Sequence, residues 1–277
     1  MRTWAPLTAR PEPFDSPLIL SLSTDERLAQ DRPVEGRASN GSWFDKPTTS
    51  VSGTRPFVAV LLAVLFGCAL FAQSTGVHPI SGRRFAPVMG YQGAAWLDRP
   101  ERLEEEEPDL AINNLKIPKG STAADIGAGS GYMTIRLSER VGPTGKVFAT
   151  DVQPQMLEIL RRRLEDKRIT NVTLVQGAVD HPRLPPASVD LELMVNVYHE
   201  LSQPQAMLRG LRDALKPGGR LVLLEYRKED PSIPIRPEHK MSVAEARLEV
   251  EHEGFTLAKV DEALPWQHIL IFTKREP

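Results

Sequence analysis

The stretch AADIGAGSGYMT, residues 123–134, places three glycines at alternate positions directly after a short apolar run that ends in an acid. Glycine weakens regular structure, so such a cluster marks a turn whose backbone needs unusual dihedrals or close approach to another group. The spacing is Gly127-x-Gly129-x-Gly131, with Asp125 two residues before the first glycine. A dinucleotide fingerprint needs G-x-G-x-x-G, and Tyr132 stands where its last small residue belongs. A P-loop ends in Gly-Lys-Ser/Thr, and no lysine is near. A dinucleotide or a nucleoside triphosphate therefore fits this turn poorly.

Working outward, strands and helices alternate. TAADI (122–126) reads as a short buried strand, followed by the glycine turn and a helix over 131–140. KVFATD (146–151) is a second strand, and Pro154 then opens a helix with Met156, Ile159, Leu160 and Leu164 on one face. VTLVQG (172–177) and VDLELMV (189–195) are the third and fourth strands. A helix carrying Leu208, Leu211 and Leu215 stops at KPGG, and RLVLLEY (220–226) is the fifth strand. Ser242 and Glu245 have capping-box spacing at the start of a last helix that ends at Gly254. FTLAKVDEAL and HILIFTK follow with no helix between them, so they form an antiparallel hairpin at one edge. The alternation predicts an α/β fold with a mostly parallel sheet and helices on both faces. In such sheets, ligands bind beyond the carboxyl ends of the strands, where the winding reverses.

Four features sit at those ends. ADIGAGSGYMT resembles motif I of the class I S-adenosylmethionine-dependent methyltransferases, and Asp151 ends the second strand 20 residues after Gly131. GAVDHPRLP follows the third strand, and LKPGGRLVLLEY (215–226) is similar to the family's fifth-strand signature. The resemblance covers about residues 95–275 and extends to methyltransferases of the ubiquinone/menaquinone-biosynthesis type. It implies a Rossmann-like seven-stranded sheet of order 3-2-1-4-5-7-6, the last strand antiparallel, and S-adenosylmethionine as cofactor. It implies that Asp125 receives the ligand's ammonium group while Gly127, Ala128, Gly129 and Gly131 let the backbone approach. Asp151, with Val152 beside it, is then the ribose site, Val179 and Asp180 read the adenine edge, and Asn196 meets the aminoacyl end. Ala178 departs from the pattern, standing where the adenine-reading acid often is. Taken alone, Asp151 has capping of the helix that follows it as its competing role.

Catalytic candidates come from the turns after strands four and five. In NVYHEL (196–201), Tyr198 and His199 are placed to orient or deprotonate an acceptor, although His199 also suits a structural role at the next helix. Glu200 is expected to face solvent or an arginine. Glu225 is either part of the acceptor pocket or an ion-pair partner of Arg227 or Lys228, and His268 reads as a satisfied edge residue. The charged, proline-rich loop RKEDPSIPIRPEHKM (227–241) and the segment around Trp96 are candidate lids; Trp96 either covers the cofactor or anchors the core. EEEE at 104–107 reads as a solvated helix face, with Pro108 dividing two helical pieces. The histidines show no metal-ligand spacing and HELSQ is not HExxH, so no metal is expected.

Composition leaves the reading intact. The chain has 277 residues, 41% of them hydrophobic, and a net charge of −2, which gives no basic excess for nucleic acid. One cysteine, Cys68, excludes an internal disulfide and a cysteine-based zinc site. Residues 1–55 are rich in Pro, Ser, Thr and Arg and read as disordered. Residues 57–72 are almost wholly apolar; about 20 residues are needed to span a bilayer, so this run suits a signal-peptide core or an anchor. A start at Val51 would place it at the N-terminus as an ordinary signal. Arginines flank it on both sides, so charge sets no orientation; a catalytic domain on the cytoplasmic membrane face reconciles it with a cytosolic cofactor. Residues 73–94 are expected to be an exposed linker, with the globular domain from 95 to 277. The acceptor is expected to be a small molecule or lipid-like. A protein methyltransferase and a non-catalytic cofactor-binding scaffold or sensor at the membrane stay as alternatives.

Overall fold

The computed structural model describes residues 76–275. The expectations for residues 1–55 and 56–72 lie outside the described residues. Strand β1 (Thr122–Ile126) is central, and pairs in parallel with both β2 (Lys146–Asp151) and β4 (Val189–Val195). Its Ala123 and Ala124 are both fully buried, as in any strand covered on two faces. The remaining strands are β3 (Val172–Gln176), β5 (Leu215–Arg227), β6 (Lys240–Met241), β7 (Phe255–Asp261) and β8 (Gln267–Lys274). Their order is β3-β2-β1-β4-β5-β8-β7, with β8 antiparallel to β5 and β7. This is the expected order with one addition, the two-residue β6, which pairs in parallel with Tyr226 and Arg227 of β5.

Helices α1 (Arg102–Glu106), α2 (Pro108–Asn114), α3 (Tyr132–Val141), α4 (Pro154–Asp166), α5 (Pro204–Ala214) and α6 (Val243–His252) cover both faces. The period of two along the strands sorts the core. Leu191, Leu193, Val222 and Leu224 face α2 and α3, while Met194, Leu221 and Leu223 join Leu208 and Leu211 of α5 and Val250 of α6 on the other face. The helix boundaries follow local chemistry. Gly142, at φ 73°, ends α3, and Pro154 takes the first turn of α4. The Ser242 hydroxyl accepts the Glu245 N–H while the Glu245 carboxylate accepts the Ser242 N–H, the reciprocal box expected from the sequence. Pro108 does divide α1 from α2, with Glu107 between them in left-handed backbone at φ 42°.

Two expectations are corrected. The 73–94 stretch is no exposed linker over its described part: His78, Arg83 and Ala86 are buried, and Val77 bridges Arg84. The Arg83 guanidinium donates from Nε and Nη2 to the two Glu249 oxygens at 3.1 and 3.0 Å, and Nη1 reaches the His199 carbonyl at 3.0 Å. Ser81 hydroxyl also donates to Glu249. The acid of α6 is wholly buried, so only a buried cation makes its position tenable, and that cation lies 166 residues away in sequence. The EEEE run is likewise only partly solvated. Glu106 is buried, pairs with Arg102 at 2.8 Å and accepts the Tyr226 hydroxyl at 2.8 Å, because α1 lies against the end of β5.

Arg83→Met should destabilise the domain by about 3–5 kcal/mol in urea titration, since it strands a buried carboxylate, and Arg83→Met/Glu249→Met should recover much of the loss. A second measurement concerns Glu192 on β4, whose two carboxylate oxygens are buried with no hydrogen-bond partner. Burial raises its pKa well above 4.5, against the weaker pull of Lys274. A raised carboxyl favours the fold below its unfolded pKa, and that stability is lost as pH climbs towards the folded value. Glu192→Gln should therefore match the parent at pH about 4.5 and exceed it at pH about 8 by roughly 1–3 kcal/mol.

Candidate active site

The turn after β1 is built by positive backbone dihedrals and by hydrogen bonds to β2. Gly127 has φ 72°, and a Cβ there would sit 2.6 Å from Val197 of the turn after β4. Gly129 has φ 53°, and a Cβ there would lie 2.8 Å from the Leu97 side chain. The N–H groups of Gly127 and Ala128 donate to the Thr150 carbonyl at 2.8 and 2.9 Å. Asp151 accepts the Gly129 N–H at 2.9 Å on one oxygen and the Gln153 N–H at 2.8 Å on the other. Burial raises the Asp151 pKa, against these backbone donors. A carboxylate offers about four lone-pair sites, so Asp151 keeps acceptor capacity for a ligand's hydroxyl.

A cleft opens between this turn, Asp125, Leu97, Arg102 and Val195. Asp125 is buried, accepts the Thr134 hydroxyl at 2.6 Å, and is pushed up to about 6 by burial. The cleft wall is a stack of charge on aromatic. Arg102 and Arg136 stand over the Tyr132 ring at 4.2 and 4.1 Å from its centroid. At the outer end, Val152 and Val179 are exposed, 39% and 51%, beyond β2 and β3. The turn carrying Val179 and the exposed Asp180 is closed by the Ala178 N–H donating to the His181 carbonyl at 2.8 Å. Asn196 follows β4 with φ 55°, donates its N–H to the Leu224 carbonyl, and accepts from the Gln267 amide at 3.0 Å.

The residues after Asn196 separate sharply. Tyr198 is withdrawn from the cleft: it is 0% exposed and belongs to the apolar core, and burial drives its hydroxyl pKa well above 10. Its ring packs in the core. His199 and Glu225 come together as a buried pair, with Nδ1 2.5 Å from Oε2, while Glu225 Oε1 accepts the Tyr198 N–H at 2.9 Å. Glu225 thus pairs with neither Arg227 nor Lys228; Arg227 bonds Glu262 and Lys228 bonds Glu245. Burial opposes charge on His199, but the adjacent Glu225 carboxylate outweighs it and the ring ends above its ordinary value. His199 Nε2 lies 3.2 Å from His239 Nδ1, and burial with the neighbouring His199 lowers His239 to about 4. Glu200 does not face open solvent or an arginine. It is half-buried and raised to about 7 by burial, with Glu225 adding to the rise. His268 is satisfied as expected, bridging Glu262 and Glu229 at 2.7 and 3.0 Å, but it is buried and its strand lies inside the sheet between β5 and β7, not at an edge.

The segment before α1 closes over these turns. The Gln153 side chain donates to the Met89 carbonyl and accepts the Tyr91 N–H, both at 2.9 Å. Asp98 binds Ser130 at 3.2 Å and Arg163 at 2.8 Å. Leu97 lies against the glycine turn, and Trp96 carries the Arg99 guanidinium 3.7 Å from its ring centroid. Sequence reasoning missed Leu97, Arg102, Gln153 and His239. The usable signal was the placement of Leu97 and Arg102 within 94–102 and of His239 within 227–241, the segments singled out as lids.

A family profile described as a methyltransferase domain matches residues 123–219. The chain is 34% identical over 110 residues to a ubiquinone/menaquinone biosynthesis C-methyltransferase of Ectopseudomonas mendocina, covering 39% of this chain and 43% of that one. It is 34% identical over 120 residues to its counterpart in Pseudomonas fluorescens, covering 43% and 47%. The match thus spans less than half the length of these curated relatives. A SAM-dependent methyltransferase of Aquifex aeolicus is 29% identical with TM-score 0.64, over 67% of this chain and 98% of that one. A Methanococcus maripaludis structure, 18% identical with TM-score 0.54 over 69% and 97%, shares the fold. Motif, sheet order and relatives agree: residues 123–219 match a methyltransferase domain, and the chain is similar to class I S-adenosylmethionine-dependent methyltransferases.

Proposed function

We propose that the protein transfers a methyl group from S-adenosylmethionine to a small-molecule or lipid-like acceptor that docks against the turns after β4 and β5. The observation that carries this reading is the pair of sites sharing one sheet edge. The Asp125–glycine turn–Asp151 cradle follows β1 and β2, and the buried His199–Glu225 pair lies one strand further on.

The residues fit the cofactor. Asp125 presents a buried carboxylate to an ammonium group, and Gly127 and Gly129 leave free the volume that side chains would occupy. Asp151 keeps acceptor capacity for ribose hydroxyls, while the exposed Val152 and Val179 offer apolar surface to a base, with Asp180 beside them. Asn196 stands at the aminoacyl end. The bound cofactor supplies an electrophilic methyl on a positive sulfur, so the chain mainly has to align the acceptor and manage its proton. His199, oriented by Glu225, and the neutral His239 behind it form the proton-handling group.

The lipid-like side of the acceptor class is supported by the relatives' printed role in quinone biosynthesis and by the apolar stretch 57–72, which would bring the domain to a membrane. Among the described residues no helix is long and apolar enough to cross one.

Calorimetric titration of the full chain with S-adenosylmethionine should show binding that Asp151→Ala and Gly129→Val each weaken by at least about tenfold, roughly 1.4 kcal/mol. Unchanged affinity in both removes the basis of the proposal. Binding should also weaken as pH falls below about 6, because protonated Asp125 no longer attracts the ammonium group. Asp125→Asn should bind weakly with that pH dependence gone. Release of S-adenosylhomocysteine on adding lipid extract, and not on adding protein, checks the acceptor class.

A further inference from the structure

The fold converges donors that the sequence scatters. His199 Nε2 and His239 Nδ1 face each other at 3.2 Å, and the Glu200 carboxylate lies within 4.8 Å of both. The rings cross at 86° with centroids 5.2 Å apart, so their nitrogens converge from different directions. We propose that His199 Nε2, His239 Nδ1 and a Glu200 oxygen form a site for one divalent transition ion of the zinc class, with a fourth position open.

Four observations carry it. At a tetrahedral centre with metal–nitrogen bonds of about 2.0–2.1 Å, two imidazole nitrogens lie roughly 3.3 Å apart, close to the spacing here. His199 turns its other nitrogen to Glu225 at 2.5 Å, the carboxylate–histidine arrangement that orients a metal-ligating ring. The supports are rigid. Glu225 is wholly buried on β5, the His199 carbonyl is held by Arg83 and by the Ala86 N–H, and β6 ties the chain next to His239 against β5. Finally, two imidazoles and one carboxylate suit zinc, whereas magnesium and calcium favour all-oxygen sets.

The turn that carries His199 and Glu200 packs through Val197 onto Gly127 of the glycine turn, which places the ion beside the cofactor cleft. Resting on the methyltransferase reading, with the ion bound His199 and His239 would hold the metal in place of taking a proton themselves. The open position would take an acceptor bearing an acidic O–H or S–H. The acceptor would lose its proton to solvent on binding and present an anionic oxygen or sulfur.

The tag-free full chain, stripped with chelator, tests this by zinc calorimetry and by cobalt(II) titration read in visible absorption. One ion per chain and strong tetrahedral cobalt bands are expected. His239→Ala should lose at least a hundredfold in zinc affinity. Glu225→Gln, which keeps all three ligands, should lose about tenfold. Circular dichroism and S-adenosylmethionine calorimetry on the same proteins report folding, and His239→Gln replaces His239→Ala if the latter is unfolded. Equal zinc affinity in parent and His239 variant, or binding well below one ion per chain, overturns the site. If cofactor binding persists in that case, the methyltransferase reading stands without the metal; metal bound at one equivalent with no cofactor binding separates the two the other way.

Discussion

The carboxyl edge of this sheet depends on one missing methyl group. Val197 occupies the space that a side chain at position 127 would need, with its Cγ2 only 2.6 Å from where that Cβ would be. β1 and β4 are hydrogen-bonded parallel neighbours at the point where the winding reverses, so the turns leaving them must share a narrow space. Gly127 and Asn196 both resolve the crowding with left-handed backbone, at φ 72° and 55°. Because the two turns touch, the cofactor cradle and the histidine cluster are one mechanical unit: moving either displaces the other.

That unit is fastened from outside the sheet. Arg83 spans Glu249 on α6 and the carbonyl of His199, so a segment preceding the whole βα alternation fixes the histidine's backbone. Glu225 does the same from β5 through its bond to the Tyr198 N–H. A buried arginine, a buried glutamate and two buried histidines thus lie close together around residue 199, each with a named partner. Such polar clusters are costly unless satisfied, and here satisfaction coincides with placement of the functional groups.

What could be read from the sequence was what is encoded locally. The strands at 122–126, 146–151 and 189–195, the Pro154 helix start and the Ser242–Glu245 box each follow from residues within a few positions of one another. The glycine turn and Asp151 were legible for the same reason: their spacing is fixed by one βαβ unit. Residues 76–94 were not, because Gly, Pro and Arg read as linker until Glu249 is brought against Arg83. Glu106 looked solvated until Tyr226 closed over it, and Tyr198 looked reactive although its ring is needed in the core. His239 was hidden by the 40 positions separating it from His199.

The pairing of β6 with β5 has a consequence for redesign. The loop between Arg227 and Lys240 leaves and rejoins the sheet at two neighbouring backbone positions, since Tyr226 pairs with Lys240 and Arg227 with Met241. Lys240 further secures the loop through the carbonyls of Asp230 and Ile233, contacts that ask only for a backbone and not for particular side chains. The loop is therefore a partial cassette: Lys228, Glu229 and the buried Ile233 are tied to the domain, while its other side chains can be exchanged to suit a different guest as the return point, and with it His239, keeps its address.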